Sequence, residues 1–217
     1  MTSLHKRQTA MFNPVDHEAR HVTIIGLGNI GSHTTLALTR MGIKNFTLYD
    51  FDNVEEHNLA SQAYEFPQLG LQKVNALSGL MYRINKEVGA VEHKNDAFRG
   101  SEPVKDILII AVDSMVERKK IYEQLMATSQ NPFVIDGRMG GGQIEVHAQY
   151  ANDWGATFSD NPDSDPCSAR YISYTSYIIA GAIANTLKRY LQGERMTKRL
   201  LMHVDTWDVI TEWYEQN

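Results

Sequence analysis

Cysteine is almost absent from this sequence, and its scarcity excludes several classes of protein. The chain has 217 residues and one cysteine, Cys167. A single thiol cannot build an internal disulfide framework or a structural zinc site that needs several cysteines. We therefore expect a reducing, cytoplasmic setting and no structural zinc.

Long hydrophobic runs are also missing. The longest apolar stretch, residues 171–187, is interrupted by Ser173, Thr175, Ser176 and Asn185. It falls short of the roughly 20 apolar residues that cross a bilayer. Residues 1–8 lack the apolar core of a secretory signal. The sequence therefore predicts a buried helix over 171–191 and no membrane partner.

The chain has no excess of basic residues. Lysine and arginine number 21 against 26 acidic residues, and the formal net charge is −5. This balance does not favour a nucleic-acid partner. With 42% hydrophobic and 22% charged residues, the composition is that of an ordered globular protein. The length predicts one domain over 1–217, with an N-terminal arm (1–20) and a long polar loop (151–169).

Short apolar runs alternate with helical periodicity along most of the chain. Strands are predicted at 21–25, 46–49, 106–112 and 132–136, and helices at 30–41, 71–88 and 114–128. This order predicts an α/β, Rossmann-like fold: a mostly parallel sheet with helices on both faces. Further along, residues 143–149 alternate like a half-exposed strand, and 201–205 and 207–213 read as edge strands. We expect these to form a C-terminal antiparallel extension.

A glycine-rich segment, Gly26-Leu-Gly28-Asn-Ile-Gly31, directly follows the first predicted strand and opens the first helix. In such a loop the first glycine makes a tight turn and the second lets a phosphate approach the backbone. The third allows close packing of helix and strand. The N–H groups of the helix N-terminus, near Asn29 and Ile30, attract anions. Asp50 ends the next strand, where a carboxylate can accept hydrogen bonds from ribose hydroxyls. The pattern predicts a nucleotide site.

The residues beyond Asp50 favour a triphosphate over a nicotinamide dinucleotide. Lys73 opens a helix after Gly70 and can reach phosphate oxygens, although a solvated helix N-terminus is the alternative. Asp113 follows the strongest predicted strand, at the sheet edge where ligands bind. A carboxylate there suits Mg²⁺, and a helix N-cap is the alternative. Together with the glycine loop, these residues predict a magnesium–triphosphate site.

Several segments together resemble the ThiF/MoeB/HesA family, the prokaryotic relatives of ubiquitin-activating enzymes. They are Gly26–Gly31, Asp50–Glu55, Asn58-Leu59, Gln62, Gly70–Lys73 and Asp113–Arg118, within residues 5–190. The resemblance implies an ATP-dependent adenylyltransferase. Such an enzyme joins the C-terminal carboxylate of a small ubiquitin-like or sulfur-carrier protein, or of a peptide, to the α-phosphate of Mg·ATP and releases pyrophosphate.

The resemblance also implies roles for individual residues. Asp50 would bind ribose, Lys73 would contact the phosphates, and Asp113 would hold Mg²⁺. The other residues implied to bind ATP are Gly26, Gly28, Asn29, Ile30, Gly31, Asp52, Asn58 and Gln62. Members of the family are usually homodimers in which an N-terminal arginine enters the partner's active site, and Arg7 is the candidate here. Arg20 is assigned to the surface.

Two departures from the family pattern stand out. Ser61 occupies the place of the family's usual arginine after the Asn-Leu pair, so one phosphate-contacting charge is missing. Arg138 is a candidate replacement, with a solvent-exposed turn as the alternative. The pair of Cys-x-x-Cys motifs that holds zinc in many relatives is also missing.

Cys167 lies in the segment Asp165-Pro-Cys-Ser, just before the long predicted helix. It resembles the Pro-Cys-Ser/Thr element whose cysteine forms a thioester in ubiquitin-activating relatives. A helix N-terminus lowers the pKa of a thiol, whereas nearby aspartates work against the thiolate. The alternative is a small apolar residue that packs the helix start.

The apolar stripe at 172–187 predicts that this helix face is core or dimer interface. Trp207 and Trp213 are assigned to packing.

Two other functions stay open at this stage. A nicotinamide-dependent oxidoreductase uses the same kind of glycine loop, and a nucleotide-binding scaffold would bind ATP without turnover. The absence of the arginine at Ser61 keeps the scaffold hypothesis open.

Overall fold

The computed structural model describes residues 3–89, 91–100, 102–140, 142–158 and 172–215. The strands are β1 His21–Ile25, β2 Asn45–Tyr49, β3 Val91–Lys94, β4 Ile107–Ile110, β5 Phe133–Gly140, β6 Gln143–Tyr150, β7 Thr197–His203 and β8 Asp208–Trp213. The helices are α1 Asn29–Met41, α2 Lys73–Ile84, α3 Met115–Ala127, α4 Ala151–Trp154 and α5 Ser173–Gln192. Short 3₁₀ turns lie at Ser3–His5, Pro14–His17, Glu56–Ala60, Phe66–Gln68 and Gly155–Thr157.

All the strands join one eight-stranded sheet in the order β3-β2-β1-β4-β5-β6-β7-β8. The pairs from β3 to β5 are parallel, and those from β5 to β8 are antiparallel. The strand order reverses between β1 and β4, which creates a crevice at their carboxyl ends. The predicted Rossmann-like sheet with its C-terminal antiparallel extension is confirmed.

Apolar side chains cover both faces of the parallel half. Every residue of β1 and β4 is buried, as expected for strands between two helical layers. One cluster includes Leu38, Leu77 and Ile183 from α1, α2 and α5, and the other includes Leu125 and Trp154 from α3 and α4. The two clusters confirm helices on both faces of the sheet.

The N-terminal arm packs against the body of the same chain. Phe12 is buried in the main core cluster. Gln8 Nε2 donates to the carbonyl of Met41 at 2.6 Å, and Gln192 Nε2 donates to the carbonyl of Met11 at 2.9 Å. Gly42 ends α1 with φ +97°, and a Cβ there would lie 2.6 Å from Cβ of Pro14. The arm is therefore fitted closely onto the end of α1.

The structure differs from the predicted elements in three places. Strand β3 was not predicted, because Val91-Glu-His-Lys94 has no apolar pattern and pairs with β2 through its backbone. Residues 144–149 of β6 are buried rather than half-exposed. Residues 151–157, predicted as loop, form α4 and a 3₁₀ turn around the fully buried Trp154. The rest of the predicted long loop, 159–169, lies outside the described residues, as do residues 170 and 171.

Two tryptophans assigned to packing are instead exposed, and so is the first residue of the apolar stripe predicted as core or dimer interface. Trp207 is 67% exposed, Trp213 is 38% exposed, and Ile172 is 61% exposed. The guanidinium of Arg195 lies 4.8 Å from the ring centre of Trp213. Because β8 is the edge strand, no described element covers its outer side. Within the described part of the chain, no helix is both long and apolar enough to cross a membrane.

Candidate functional site

A cavity of about 590 Å³ opens at the carboxyl ends of β1, β2 and β4, where the strand order reverses. Its volume lies in the range of small-molecule sites. Most of the residues expected to bind a nucleotide line it: Gly26, Gly28, Asn29, Ile30, Asp50, Asp52, Asn58, Gln62, Lys73 and Asp113. Residues that are far apart in the sequence therefore meet in one crevice.

The glycine loop has the geometry that its sequence predicts. Gly26 has φ +88°, and a Cβ there would lie 2.7 Å from the carbonyl oxygen of Ala111. A Cβ at Gly31 would lie 1.9 Å from the carbonyl oxygen of Gly26, so this residue packs inside the loop and does not line the cavity. No atom lies within 4 Å of a Cβ built on Gly28. The backbone at Gly28 is thus open to the cavity.

Helix α1 points its N-terminus into the cavity. Gly28 is the N-cap residue and supplies no side chain to the N–H groups of the first turn. Asn29 and Ile30, the first residues of α1, line the cavity. Since the N-terminal end of a helix carries partial positive charge, this arrangement favours an anion at the glycine loop.

The Asp50 carboxylate is held by the backbone of the site. Its Oδ2 accepts a hydrogen bond from the Leu27 N–H at 2.7 Å, and its Oδ1 accepts one from the Asp52 N–H at 2.8 Å. Burial raises the pKa of Asp50, while the charge of Lys73 and these two N–H groups oppose the rise. The carboxylate is therefore fixed beside the glycine loop, within reach of a sugar hydroxyl in the cavity.

Lys73 is buried and paired, which excludes the alternative of a solvated helix N-terminus. It is 5% exposed, and its Nζ donates to Asp52 Oδ2 at 2.8 Å. The Lys73 backbone N–H also donates to the Asp52 carbonyl at 3.0 Å. Nearby, the buried Asn58 accepts a hydrogen bond from the Glu55 N–H through Oδ1 at 2.9 Å. A lysine held at the cavity wall in this way is available to phosphate oxygens.

Asp113 is exposed in the cavity and does not cap α3. Ser114 is the N-cap residue instead, and its Oγ accepts a hydrogen bond from the Glu117 N–H at 3.2 Å. Glu117 lines the same cavity. In the part of the chain described here, no cluster of three or more His, Cys, Asp or Glu residues is placed to hold a metal. The residues nevertheless fit Mg²⁺, which takes one or two carboxylates next to phosphate oxygens.

One end of the cavity is formed by residues that were not predicted from the sequence. Phe98, in the segment after β3, and Ile121, on α3, make this end apolar. The rings of Phe98 and Tyr49 pack edge to face with centroids 5.3 Å apart, and burial next to Glu102 raises the pKa of Tyr49 to about 12. The segment that carries Phe98 was not predicted because the preceding strand, β3, has no apolar pattern in the sequence. The residues of α3 and its start that face the cavity recur every three or four positions in the sequence, so helical spacing could have identified them. They are Asp113, Glu117, Lys120, Ile121 and Gln124.

Three carboxamide oxygens in the cavity wall lack hydrogen bonds. Asn29 Oδ1, Gln62 Oε1 and Gln124 Oε1 are buried without a partner in the described structure. Buried polar atoms are nearly always hydrogen-bonded, so a group of unsatisfied acceptors in one cavity calls for an explanation. A ligand that brings donors would provide one.

Three described residues of interest do not line this cavity. Arg7 is exposed on the arm and does not line the cavity of its own chain. Ser61 is also outside the cavity wall, with its carbonyl oxygen 3.0 Å from His33 Nε2. Cys167 lies outside the described residues. The expectation that Arg138 enters the nucleotide cavity is wrong, because its Nη2 donates to Asp136 Oδ2 at 2.7 Å on another face of β5.

Asp136 is the centre of a buried ion network. Arg118 Nε donates to Asp136 Oδ1 at 2.9 Å, and the Trp154 indole N–H donates to Asp136 Oδ2 at 3.0 Å. Burial disfavours the charged carboxylate, but the guanidinium groups of Arg118 and Arg138 outweigh it and hold the pKa of Asp136 well below its ordinary value. Strand β5 continues to Gly140, and strand alternation places residues 136 and 138 on the same face.

A second cavity of about 620 Å³ lies beside this network, along β6 and β7. Its wall includes Arg138, Glu145, His147 and Arg199. Arg199 Nε donates to Glu145 Oε1 at 2.6 Å. Burial opposes ionisation of Glu145, but His147 and Arg199 lower its pKa to about 2. These ion pairs explain why the polar face of β6 is buried rather than half-exposed.

The chain is similar in sequence to a known protein family and to several curated proteins. A model described as the ThiF family matches residues 13–214. The ubiquitin-like modifier-activating enzyme 5 of Mus musculus is 32% identical over 117 residues, which is 46% of this chain and 29% of that protein. The chain spans between about a sixth and about a third of the length of the curated relatives it matches.

The fold is similar to those of solved structures of low sequence identity. E. coli MccB solved with ATP superposes with a TM-score of 0.80 at 14% identity, covering 100% of this chain and 72% of that one. MccB has also been solved with AMPCPP and MccA. PaaA superposes with a TM-score of 0.79 at 18% identity, covering 99% of this chain and 76% of that one.

Proposed function

The chain belongs to the ThiF family, and from this premise we propose that it is an ATP-dependent adenylyltransferase. Its substrate would be the C-terminal carboxylate of a small ubiquitin-like or sulfur-carrier protein, or of a peptide. One observation carries the proposal: the open backbone at Gly28, the N-terminus of α1 and the buried Lys73 converge on one cavity. The ubiquitin-like modifier-activating relatives and the MccB structures with ATP and MccA support it.

The reaction needs charge neutralisation and positioning more than covalent work by the protein. A carboxylate oxygen of the substrate attacks the α-phosphorus of ATP, and the bond to the leaving pyrophosphate breaks. The N–H groups at the start of α1 and the Lys73 ammonium neutralise the growing negative charge. Asp113, with Glu117 beside it, would hold Mg²⁺, which supplies further positive charge at the phosphates.

The remaining residues of the site would orient the nucleotide. Asp50 is fixed beside the glycine loop and would accept hydrogen bonds from ribose hydroxyls. Lys73 is bound to Asp52, and it would turn part of its hydrogen bonding towards phosphate oxygens when ATP enters. Asn58 would contact the phosphates, and Gln62, which lines the same cavity, would also contact the nucleotide.

A homodimer completes the proposal. The arm that carries Arg7 is docked on α1, and Arg7 itself is exposed, so its side chain would have to act in the site of a partner copy. Cys167 would accept the acyl group as a thioester in a later step. The reaction would take place in the cytoplasm, where one unpaired thiol stays reduced.

ATP–pyrophosphate exchange tests the proposal. A small protein that ends in Gly-Gly and is encoded by a neighbouring gene is the first carrier to try. We expect exchange that needs Mg²⁺ and this carrier, and we expect Asp113→Ala to fold normally but to lose it. Glu123→Ala, an exposed change on α3, is the matched control.

The other outcomes separate the alternatives. Unchanged exchange in Asp113→Ala would remove Asp113 from the site. ATP binding without exchange, with every carrier tested, would favour a nucleotide-binding scaffold. Fluorescence changes with reduced nicotinamide dinucleotide and no ATP binding would favour an oxidoreductase.

A further inference from the structure

The side of α3 that faces the nucleotide cavity changes in character along its length. Asp113 and Glu117 lie at its N-terminal end, at the carboxyl edge of β4. Further along, Ile121 is 4% exposed and Gln124 lines the cavity near Phe98, which is 5% exposed. The carboxylates at the N-terminal end suit a metal ion that is itself bound to phosphates. The apolar end suits the flat base of a nucleotide.

Gln124 is held in place at this apolar end. The segment after β3 passes directly over it: Gly100 has φ +68°, and a Cβ there would lie 2.8 Å from Cβ of Gln124. The Gln124 carbonyl accepts hydrogen bonds from the N–H and the hydroxyl of Thr128 within the last turn of α3. These contacts fix the backbone and the Cβ of Gln124 at this end of the cavity, and the rest of its side chain extends from that fixed point.

The carboxamide of Gln124 is also unsatisfied. Its Oε1 is buried and accepts no hydrogen bond from any described residue, and a buried polar atom without a partner destabilises the structure that contains it. The buried Gln68 provides the contrast: its Oε1 accepts from the Glu65 N–H at 2.9 Å, and its Nε2 donates to the Ala76 carbonyl at 2.6 Å. Both ends of the Gln68 carboxamide are therefore hydrogen-bonded, whereas the carboxamide oxygen of Gln124 has no partner among the described residues.

We propose that Gln124 determines which base the site accepts, with its carboxamide oxygen accepting a hydrogen bond from the 6-amino group of adenine. Guanine carries an oxygen acceptor at the same ring position and cannot donate there. The site would then prefer adenine nucleotides because of this residue. The inference rests on the proposed ATP-dependent function and adds a specificity residue to it.

The experiment first compares three nucleotides with three proteins, and a fourth protein, Gln124→Glu, completes it. Affinities for ATP, for purine riboside triphosphate (which lacks the 6-amino group) and for GTP are measured by calorimetry with Mg²⁺. The proteins are wild type, Gln124→Leu and the matched control Glu123→Leu on the exposed side of the same helix. We expect wild type and control to bind ATP roughly 3- to 10-fold more tightly than purine riboside triphosphate, the worth of one neutral hydrogen bond.

The decisive quantity is the ratio of the two affinities in Gln124→Leu. We expect it to fall below about 2-fold, whatever the variant does to affinity overall. Gln124→Glu keeps an oxygen acceptor and is expected to restore the ratio. An unchanged ratio in Gln124→Leu would overturn the inference, as would a wild type that prefers GTP, since the carboxamide would then be donating. Failure of wild type to bind any triphosphate would instead overturn the proposed function.

Discussion

Replacing Asp136 with asparagine tests how strongly the buried ion network stabilises the fold. The Asp136 side chain is fully buried and receives N–H groups from Arg118, Arg138 and Trp154 at 2.7–3.0 Å. Asparagine has nearly the same shape, but it carries no charge and presents an N–H₂ group where a carboxylate oxygen accepted hydrogen bonds. Two buried guanidinium groups would lose the carboxylate that they share.

The expected loss is large because the site is dry. Removing one partner of a buried ion pair costs about 3–5 kcal/mol, against a total stability of roughly 5–15 kcal/mol for a domain. For a chain of this length each kcal/mol shifts Tm by about 2–4 °C, so we expect Tm to fall by roughly 6–20 °C. The surface pair of Arg20 with Asp106, 3.2 Å apart, supplies the control, because Asp106→Asn should cost no more than about 1 kcal/mol.

Urea denaturation followed by circular dichroism measures both variants. The pH dependence adds a second readout. The pKa of Asp136 is lowered in the folded state, so its stabilisation is present at neutral pH and is lost as pH falls below the ordinary range of an aspartate. The free energy of unfolding of Asp136→Asn should therefore fall less steeply in acid than that of wild type. The reasoning would be refuted if Asp136→Asn and Asp106→Asn lost the same free energy of unfolding and if that free energy fell equally steeply in acid for Asp136→Asn and wild type.

Three further predictions concern the nucleotide cavity and the thiol. Gly28→Ala should fold but bind ATP at least about 10-fold more weakly, because its methyl group enters the open cavity. Gly31→Ala should fail to fold, since its Cβ would lie 1.9 Å from a carbonyl oxygen. Solubility and circular dichroism distinguish the folded variant from the unfolded one. Lys73→Gln should keep its Tm within a few degrees of wild type, because the partner of Lys73, Asp52, is half-exposed. Its ATP affinity, measured by calorimetry, should fall roughly 10-fold or more. Unchanged affinity would place Lys73 outside the phosphate site. Cys167→Ser should abolish any thiol-sensitive acyl adduct seen by mass spectrometry yet leave pyrophosphate exchange intact, and an adduct that persists would exclude Cys167.

Several parts of the site follow from short stretches of sequence. The turn at Gly26, the open position at Gly28 and the tight packing at Gly31 are consequences of a strand that meets a helix through three glycines. Asp50 needed one further inference, that parallel strands end at the same sheet edge. These predictions depend on neighbours in the sequence, and local backbone geometry is enough to make them.

Other parts depend on partners that are distant in the sequence. Arg138 was expected in the nucleotide cavity because the strand before it was predicted to end at residue 136. Instead β5 continues through a ladder with β6, and alternation directs Arg138 to the face of Asp136 while Met139 lines the nucleotide cavity. Strand β3 has no apolar signal of its own and is placed by backbone pairing with β2.

The amino-acid sequence by itself determined the alternation of strands and helices, the glycine loop and the family, because periodicity and turn chemistry are properties of neighbouring residues. Only the tertiary structure decided which polar groups are buried together. The network around Asp136 and the unsatisfied carboxamide of Gln124 arise from contacts between separate elements. The free energy of a buried charge or an unpaired acceptor depends on the groups that surround it in space, and spacing along the chain does not specify them.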